Sequence, residues 1–368
     1  MILTLAEALD ETEDCRRYLL LGNGFSISLF PDRFMYGSLF DAAKSDGLFA
    51  ASPEVEAAFE VLGTKDFEEL MEALKSSAKL APIYGGNAAK MLAHAEILKG
   101  ILVNAIANKH PSRPADVTEE QFTNCRAFLS NFIGVKRDNR IGKVFSLNYD
   151  LLLYWSILHD TFDIDWATGE ISMEADQDLN HDDGFRADED DFDAEYVVWD
   201  PFHGTNSQSI FFLHGALHLY ERGPQLAKMC WERAGNSPLM DQIKGALDDD
   251  RYPLFVSEGT SAFKMKRINR NAYLSRSLRS FFGCCGTKNA AMFIIGHALA
   301  PNDDHVLKRI KKGKIGRLYV SLFGDPDSPY NQGIRARAEA LAEGRSVKDA
   351  MTVNFIDAES LHIWDHQA

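Results

Sequence analysis

Five short groups of small, polar or titratable residues stand out in this chain because each directly follows a run of apolar residues. The groups are Gly22-Asn23-Gly24-Phe25-Ser26, Asn148-Tyr149-Asp150, His214-Gly215, Ser257-Glu258-Gly259-Thr260 and Gly296-His297. They offer an imidazole that can move a proton near neutral pH, an amide that can both donate and accept hydrogen bonds, and glycines that let a ligand approach the backbone. One such group is ordinary, whereas five of them indicate a shared binding or catalytic site.

His214, Asn148 and Asp150 are the candidate catalytic residues. His214 is the side chain best suited to accept a proton at neutral pH, and its place after an apolar run puts it at a strand end and not in the core. An isolated histidine is more often structural, but the adjacent Gly215 favours close approach of a ligand. Asp150 has a structural alternative, because aspartate is a good cap for the helix predicted to follow it. In either case we expect the amide of Asn148 to meet a ribose hydroxyl or a water.

The glycine-containing groups predict a site for the phosphates of a nucleotide. Glycines after a strand let the backbone approach a pyrophosphate, and the N-terminus of a following helix favours its negative charge. The third glycine of a full dinucleotide fingerprint is missing, so the motif by itself fits an ordinary strand-to-helix turn equally well. The residues predicted to bind the cofactor are Gly22, Asn23, Gly24, Phe25, Ser26, Ser257, Gly259, Thr260, Gly296, His297 and Asp304.

Two charged segments keep two interpretations each. Lys264, Lys266 and Arg267 could neutralise a pyrophosphate, but a solvated basic face fits them equally well. Residues 303–305, Asp-Asp-His, could belong to the site or could simply form the first turn of a helix, where the helix dipole favours carboxylates. The sequence leaves both choices open.

Short, almost entirely apolar segments alternate with helical patterns along the chain. Strands are predicted at 18–21, 144–147, 196–199, 210–213, 253–256, 291–295, 318–322 and 352–356, and helices at 150–158, 303–311 and 334–341. This alternation predicts an α/β fold in which helices cover both faces of a doubly wound (Rossmann-like) parallel sheet. Ligands of such sheets bind beyond the carboxyl ends of the strands, which is where the five groups fall.

The chain is predicted to fold as a single α/β domain over residues 1–368 with two insertions. Residues 38–140 have a helical pattern, in which Asp116 or Thr118 would cap a helix. Residues 160–195 contain 15 Asp and Glu against one Arg, so nearly all of the net charge of -15 is local. We interpret this second stretch as a solvated, partly disordered insertion. The nearly neutral remainder predicts no dedicated nucleic-acid surface.

Composition argues against several other classes of protein. No run approaches the roughly 18 apolar residues of a membrane helix, and the N-terminus lacks the basic region of a signal peptide. These features predict a cytoplasmic protein with no membrane contact. The five cysteines include no CxxC pair, which favours reduced thiols and argues against a structural zinc site. No P-loop, His-Glu-x-x-His or nucleophile-elbow motif is present, and no metal is predicted.

In their order and their placement at strand ends, these motifs resemble the sirtuin-like NAD-binding superfamily over residues 20 to about 310. The motifs that carry the resemblance are Leu21-Gly-Asn-Gly-Phe-Ser26, Ser146-Leu-Asn-Tyr-Asp150, Leu213-His-Gly215 and Phe293-Ile-Ile-Gly-His-Ala-Leu299, followed by Asp304 and His305. The last motif resembles the late Rossmann loop found in the bacterial branch of the superfamily. That branch includes NAD hydrolases of anti-phage defence. An uncharacterised bacterial family in that branch is most similar, through Asn148-Tyr-Asp-Leu-Leu-Leu-Tyr-Trp155 and Leu213-His-Gly-Ala-Leu-His-Leu219.

The resemblance implies an NAD hydrolase that releases nicotinamide and ADP-ribose and acts as a conditional defence effector. Asn148 would orient the ribose or the attacking water, His214 would accept a proton, and Asp150 would hold the nicotinamide amide or supply negative charge. The four-cysteine zinc module of deacylating sirtuins cannot be built from these five cysteines, and the first loop reads Gly-Asn-Gly where deacylases have Gly-Ala-Gly. Both departures disfavour deacylation.

Two questions stay open at this level. A sensor or scaffold protein that binds NAD or ADP-ribose without cleaving it would carry the same glycine loops. The resemblance also leaves open whether the protein forms a homo-oligomer or acts with a partner protein of a defence system.

Overall fold

The computed structural model describes residues 2–134, 142–159, 162–165, 170–173, 179–202, 207–230, 233–235, 237–249, 251–256 and 260–365 of the 368-residue chain. Within these ranges the strands are β1 (Ile2–Leu3), β2 (Arg16–Leu21), β3 (Lys143–Ser146), β4 (Phe162–Asp165), β5 (Glu170–Met173), β6 (Phe185–Ala187), β7 (Tyr196–Trp199), β8 (Ile210–Phe212), β9 (Leu219–Arg222), β10 (Gln225–Met229), β11 (Ala290–Ile295), β12 (Arg317–Leu322) and β13 (Thr352–Asp357). The α-helices are α1 (Leu5–Asp10), α2 (Gly24–Ile27), α3 (Pro31–Phe34), α4 (Tyr36–Ser45), α5 (Pro53–Leu62), α6 (Phe67–Leu80), α7 (Ala88–Lys109), α8 (Glu119–Ile133), α9 (Leu152–Leu158), α10 (Leu239–Asp248), α11 (Ser261–Arg270), α12 (Ala272–Cys285), α13 (Asp304–Lys312) and α14 (Pro329–Ala342).

A seven-stranded parallel sheet organises the protein. Its strand order is β1-β13-β12-β11-β2-β3-β8, and each neighbouring pair runs parallel. Without β1, the order from β8 to β13 is the 3-2-1-4-5-6 order of doubly wound nucleotide-binding sheets. From β2 the next strands, β3 and β8, are added toward one edge of the sheet, whereas β11, β12 and β13 are added toward the other edge. The topological switch point therefore lies between the adjacent strands β2 and β11. The predicted α/β, Rossmann-like fold is therefore confirmed.

The central strands of this sheet are almost entirely buried because helices cover both of its faces. All six residues of β11 are buried, as are the last five of β2 and of β12. Successive residues of a strand point to opposite faces, so uninterrupted burial requires a covering layer on each face. The register places Leu21 opposite Ile295. The loops after these two central strands therefore leave the sheet at the same height.

A smaller antiparallel sheet has the order β6-β7-β10-β9. The strand predicted at 196–199 exists as β7, but it belongs to this sheet, so its expected place in the parallel sheet is wrong. Its four residues are only partly buried, which is the ordinary state of an antiparallel strand with one wet face. The apolar content of the segment did not distinguish a strand of the parallel sheet from a strand of the smaller antiparallel sheet.

The strand predicted at 253–256 is also wrong. In this segment only Phe255 makes an isolated bridge, with Gly215. Most of its backbone hydrogen bonds join the loop after β8: the Val256 amide donates to the His214 carbonyl at 2.8 Å, and the Leu254 carbonyl accepts from the Ala216 amide at 3.0 Å. The Leu254 amide donates to the carbonyl of Leu219, the first residue of β9, at 2.6 Å. The segment is apolar because it packs on the site loop.

Helices α4 to α8 lie between β2 and β3 and correspond to the predicted helical insertion at 38–140, of which residues 135–140 lie outside the described residues. Thr118, one of the two predicted caps, begins α8: its hydroxyl accepts from the Gln121 amide while the Gln121 side chain accepts from the Thr118 amide. Among the described helices, none has the length and apolar character needed to cross a bilayer.

The described residues of the acidic stretch at 160–195 include paired strands and a buried carboxylate. Strands β4 and β5 pair with each other, and β6 belongs to the smaller sheet. Asp183 is buried and accepts a hydrogen bond from Lys228 of β10 at 2.5 Å. A carboxylate in the interior needs such a partner, so the prediction of solvation is wrong around Asp183. Residues 160–161, 166–169 and 174–178 lie outside the described residues.

Candidate active site

A pocket of about 100 Å³ lies at the carboxyl ends of β2, β3, β8 and β11. Its polar side chains come from the loops after these strands, from α11 and from the segment that precedes α13; they include Asn148, Asp150, His214, Lys264, His297 and Asp303. Apolar side chains of α3, α4 and α7 complete the wall; they are Phe34, Leu39, Leu102 and Ile106. The helical segment therefore covers the end of the sheet where a doubly wound fold binds its ligand.

The first cluster in the pocket joins Asn148, Ser26 and Asp150. The amide nitrogen of Asn148 donates to Ser26 Oγ at 3.0 Å, and Ser26 Oγ donates to Asp150 Oδ2 at 2.5 Å. Ser26 is fully buried and is held by a partner on each side. Burial raises the pKa of Asp150, although the hydrogen bonds from Ser26 and from the Leu152 amide act in the opposite direction. Ser26 therefore connects the two predicted catalytic residues after β3.

The turn that carries Asn148 is fixed at several points. Asp150 Oδ1 accepts from the amide of Leu152, the first residue of α9, at 2.9 Å. The N-cap residue of α9 is Leu151, so Asp150 holds the turn from one residue earlier than the predicted cap. The Leu151 amide donates to His110 Nε2 at 2.9 Å. The ring of Tyr149 stacks 6.4 Å from that of His214. These contacts bring the loops after β3 and β8 together.

The second cluster surrounds the carboxylate of Asp303, just before α13. Asp303 Oδ1 accepts from Lys264 Nζ at 3.0 Å and lies 3.8 Å from His214 Nε2. Its other oxygen lies 2.9 Å from His297 Nε2. His305 Nε2 lies 3.0 Å from His214 Nε2. Five titratable side chains from four separate segments thus form one buried or nearly buried network.

The protonation states in this network follow from burial and charge. Burial first, and then the positive charge of Lys264, hold the pKa of His214 well below its usual value. Burial likewise lowers the pKa of His305 to about 4. Burial opposes ionisation of Asp303, but the His297 hydrogen bond and the Lys264 charge bring its pKa well below the usual range. At neutral pH His214 and His305 are therefore neutral and lie beside the ionised carboxylate of Asp303.

His297 has a defined tautomer. The Leu299 amide donates to its Nδ1 at 3.0 Å, so the ring hydrogen is on Nε2 and is donated to Asp303. Leu299 has a φ of 54°, the left-handed region that a leucine seldom adopts. Such local strain is often found at functional sites. The loop after β11 thus holds one hydrogen bond of Asp303 in place.

The glycines after β2 and β11 pack against each other. The Gly24 amide donates to the Gly296 carbonyl at 2.8 Å. A Cβ atom on Gly24 would lie 2.5 Å from Gly296 Cα, and Gly296 itself has a φ of +67°. The helix behind Gly24, α2, is only four residues long. The structure therefore explains these glycines by contact between loops, while Gly22 and Asn23 also line the pocket.

The other predicted cofactor-binding residues are distributed unevenly. Phe25 is buried, and its carbonyl accepts from Trp364 Nε1 at 2.9 Å. Asp304 pairs with Lys308 at 2.9 Å on α13, and it does not line the pocket. Thr260 precedes α11. Ser257 and Gly259 lie outside the described residues.

Sequence reasoning missed four features of this site. It left Lys264 as a solvated basic residue or a phosphate contact, whereas Lys264 is 1% exposed and pairs with Asp303, so the solvated alternative is wrong. It left Asp303 and His305 undecided between the site and a helix turn, and it gave no role to His110 of α7. It also placed His214 outside the core, whereas His214 is 2% exposed. No local pattern marks these residues, because their partners are distant in sequence.

His214, Asp303 and His305 also form the donor set of a transition-metal site. The two Nε2 atoms are 3.0 Å apart, close to the roughly 3.3 Å between two ligands of a tetrahedral ion. However, Lys264 already balances the charge of Asp303, so a divalent ion would add an uncompensated double charge to a buried site. The arrangement fits a hydrogen-bonded network better, and the expected lack of a metal stays a prediction.

A known protein family matches most of the chain. The sequence profile of a family described as "Domain of unknown function (DUF4917)" matches residues 19–364. This range begins within β2 and includes both clusters of the pocket and nearly all of the parallel sheet. No curated protein matches the chain.

Proposed function

The chain belongs to the DUF4917 family, whose description names no activity. From the geometry of the site and the resemblance of its motifs, we propose that the protein hydrolyses NAD at the nicotinamide–ribose bond. The observation that carries the proposal is the presence of Asn148 and His214 in one pocket at the switch point of a 3-2-1-4-5-6 sheet. The similarity of the strand-end motifs to the sirtuin-like superfamily supplies the identity of the ligand.

Hydrolysis of the nicotinamide–ribose bond requires that the ribose and the water be oriented and that one base accept a proton. Water attacks C1′ of the ribose, and the electron pair of the C1′–N bond leaves with nicotinamide, which becomes neutral. The sugar passes through an oxocarbenium-like state similar to that of glycoside cleavage. The proton of the attacking water goes to His214, so the products are nicotinamide, ADP-ribose and a proton.

The side chains of the pocket suit these roles. His214 is neutral at pH 7 because its pKa is held well below the usual value by burial and by Lys264, so it is free to accept a proton. Ser26 fixes the Asn148 amide, which orients the ribose or the water. The carboxylate of Asp150 lies in the same pocket and would stabilise developing positive charge or hold the nicotinamide amide.

The pocket volume limits how NAD would bind. Its roughly 100 Å³ is below the roughly 300–1,000 Å³ of typical small-molecule pockets, so it accepts only the reacting end of a dinucleotide. The adenosine half would extend past Gly22 and Asn23. Entry of the whole ligand would then require the side chains of α3, α4 and α7 to move outward.

The test is Asn148→Ala measured for both turnover and binding. Loss of a group that acts mainly in the transition state lowers kcat far more than affinity. We expect nicotinamide release to fall by orders of magnitude, about 100-fold or more, while NAD affinity changes by roughly 0.5–1.5 kcal/mol, one hydrogen bond. Asn104→Ala is a matched control, since among the described residues the Asn104 side chain donates to a carbonyl of its own helix, that of Gly100, at 2.9 Å.

Two outcomes would refute hydrolysis. Equal losses of turnover and affinity would mean that Asn148 only binds NAD. Wild-type protein that binds NAD but releases no nicotinamide under any condition tried would identify a sensor or scaffold instead. The role in anti-phage defence depends on the resemblance alone; cellular NAD that does not fall in phage-infected cells expressing the protein would contradict it.

A further inference from the structure

Two histidines from distant segments face each other beside the pocket. His214 Nε2 and His305 Nε2 are 3.0 Å apart across 91 residues of sequence. Their rings stack with centroids 5.1 Å apart, and both side chains are buried. The sequence motifs give His305 no role, and the hydrolysis step above does not use it.

The distance constrains where the hydrogens are. Two lone pairs or two N–H groups cannot meet at 3.0 Å without repulsion, so one Nε2 donates to the other. If His305 were the donor, the hydrogen of neutral His214 would be on Nδ1, and Nδ1 could not act as a base. If His214 is the donor, its Nδ1 keeps a lone pair on the side of the ring away from His305.

Asp303 decides between these alternatives. Its Oδ1 lies 3.8 Å from His214 Nε2, and a carboxylate attracts a hydrogen on that nitrogen and repels a lone pair there. Lys264 and His297 hold the carboxylate in place from its two oxygens. The carboxylate therefore favours the hydrogen on Nε2 of His214, while the charge of Lys264 opposes protonation of the ring as a whole.

We propose that His305, together with Asp303, is a positioning residue that keeps the hydrogen of His214 on Nε2 and so leaves Nδ1 as the proton acceptor. The catalytic part of this inference rests on the proposed NAD hydrolysis. When the attacking water transfers its proton to Nδ1, the resulting imidazolium donates its Nε2–H to His305 and lies beside the negative charge of Asp303. No further proton transfer is needed for the step to balance.

The tautomer can be observed without any substrate. In the full-length protein labelled with ¹⁵N-histidine, two-bond proton–nitrogen correlations distinguish a protonated Nε2 from a protonated Nδ1. The His214 signals are assigned by their loss in His214→Asn. We expect a protonated Nε2 and a bare Nδ1 on His214; a hydrogen on Nδ1 in the wild-type protein would overturn the inference.

Kinetics with two substitutions of His305 test its effect on turnover. His305→Leu removes the acceptor, and we expect kcat for NAD to fall about 100-fold, the lower range for loss of a general base, with little change in KM. His305→Gln offers an amide oxygen as acceptor and should recover most of that loss. A merely structural role predicts no such rescue, so equal losses in both variants would contradict the proposal.

His218→Leu is the matched control for removing a buried histidine. His218 is fully buried, and neither of its ring nitrogens has a hydrogen-bond partner among the described residues. It packs on Tyr154 and does not line the pocket, so turnover should stay near that of the wild type. If no protein cleaves NAD, the proposed function fails while the tautomer spectrum still decides the placement of the hydrogen.

Discussion

Replacing Ser26 by alanine tests the connection between the two loops of the pocket directly. The change removes the acceptor of the Asn148 amide at 3.0 Å and the donor to Asp150 at 2.5 Å. A hydrogen bond to a charged group contributes roughly 1.5–3 kcal/mol and a neutral one roughly 0.5–1.5 kcal/mol. We therefore expect Ser26→Ala to lower the free energy of unfolding by about 2–4 kcal/mol at neutral pH. Ser28→Ala, which loses one hydrogen bond to the Phe25 carbonyl, should lower it by about 1 kcal/mol or less.

The loss should also depend on pH. Burial raises the pKa of Asp150 in the folded state, and the Ser26 hydrogen bond partly offsets that shift. An acid whose folded pKa is raised loses stability as pH rises through that pKa, because its ionised form is disfavoured in the fold. Ser26→Ala removes one of the offsetting contacts and raises the pKa further. The difference between variant and wild type should therefore be larger at pH 8 than at pH 5.

Urea denaturation at both pH values measures these quantities. Tryptophan emission is a suitable signal, because Trp364 donates to the carbonyl of Phe25, the residue before Ser26. A Ser26→Ala loss equal to that of Ser28→Ala at both pH values would refute the reasoning. It would mean that the chain from Asn148 to Asp150 contributes no more than an ordinary surface contact.

Three further predictions concern other contacts. Lys264→Met removes a charge that lowers the pKa of His214, so the acid limb of kcat/KM for NAD should move to higher pH; an unmoved limb would contradict His214 as the base. Asp183→Asn leaves the buried Lys228 without its charged partner and should lower the free energy of unfolding, measured by urea denaturation, by about 3–5 kcal/mol. A loss under about 1 kcal/mol, the range of exposed pairs, would show that the pair is solvated. Gly24→Ala places a Cβ against the facing glycine loop and should destabilise by about 1–3 kcal/mol in thermal unfolding. Gly245→Ala is its control, because nothing lies within 4 Å of the added carbon and alanine favours the helix by up to about 1 kcal/mol; similar effects at both glycines would disprove close packing of the loops.

The strands of the parallel sheet were predictable because burial on both faces leaves a local trace. Strands β2, β11, β12 and β13 begin and end within two residues of the predicted ranges, because short, mostly apolar runs that alternate with helical patterns are typical of buried parallel strands. The same signal failed at 253–256. That segment is equally apolar, but it packs on a loop, and apolar content records burial and not the partner.

The polar residues after the strands were predictable for the same reason. Once the strands are parallel, their carboxyl ends meet at one edge of the sheet, so Asn148 and His214 had to approach each other. That inference needs only the order of strands and loops. The order of strands and loops therefore predicts the position of the pocket without any knowledge of side-chain contacts.

The partners of those residues could only come from the tertiary structure. His214 meets His305 across 91 residues, Ser26 meets Asp150 across 124, and Lys264 meets Asp303 across 39. A charged residue has the same local pattern whether it is solvated or paired in the interior, because its environment depends on which distant segment folds against it. The sequence by itself therefore determined the sheet and the edge that carries the polar groups. The tertiary structure decided which of those groups are buried and which charges they meet, and hence their protonation.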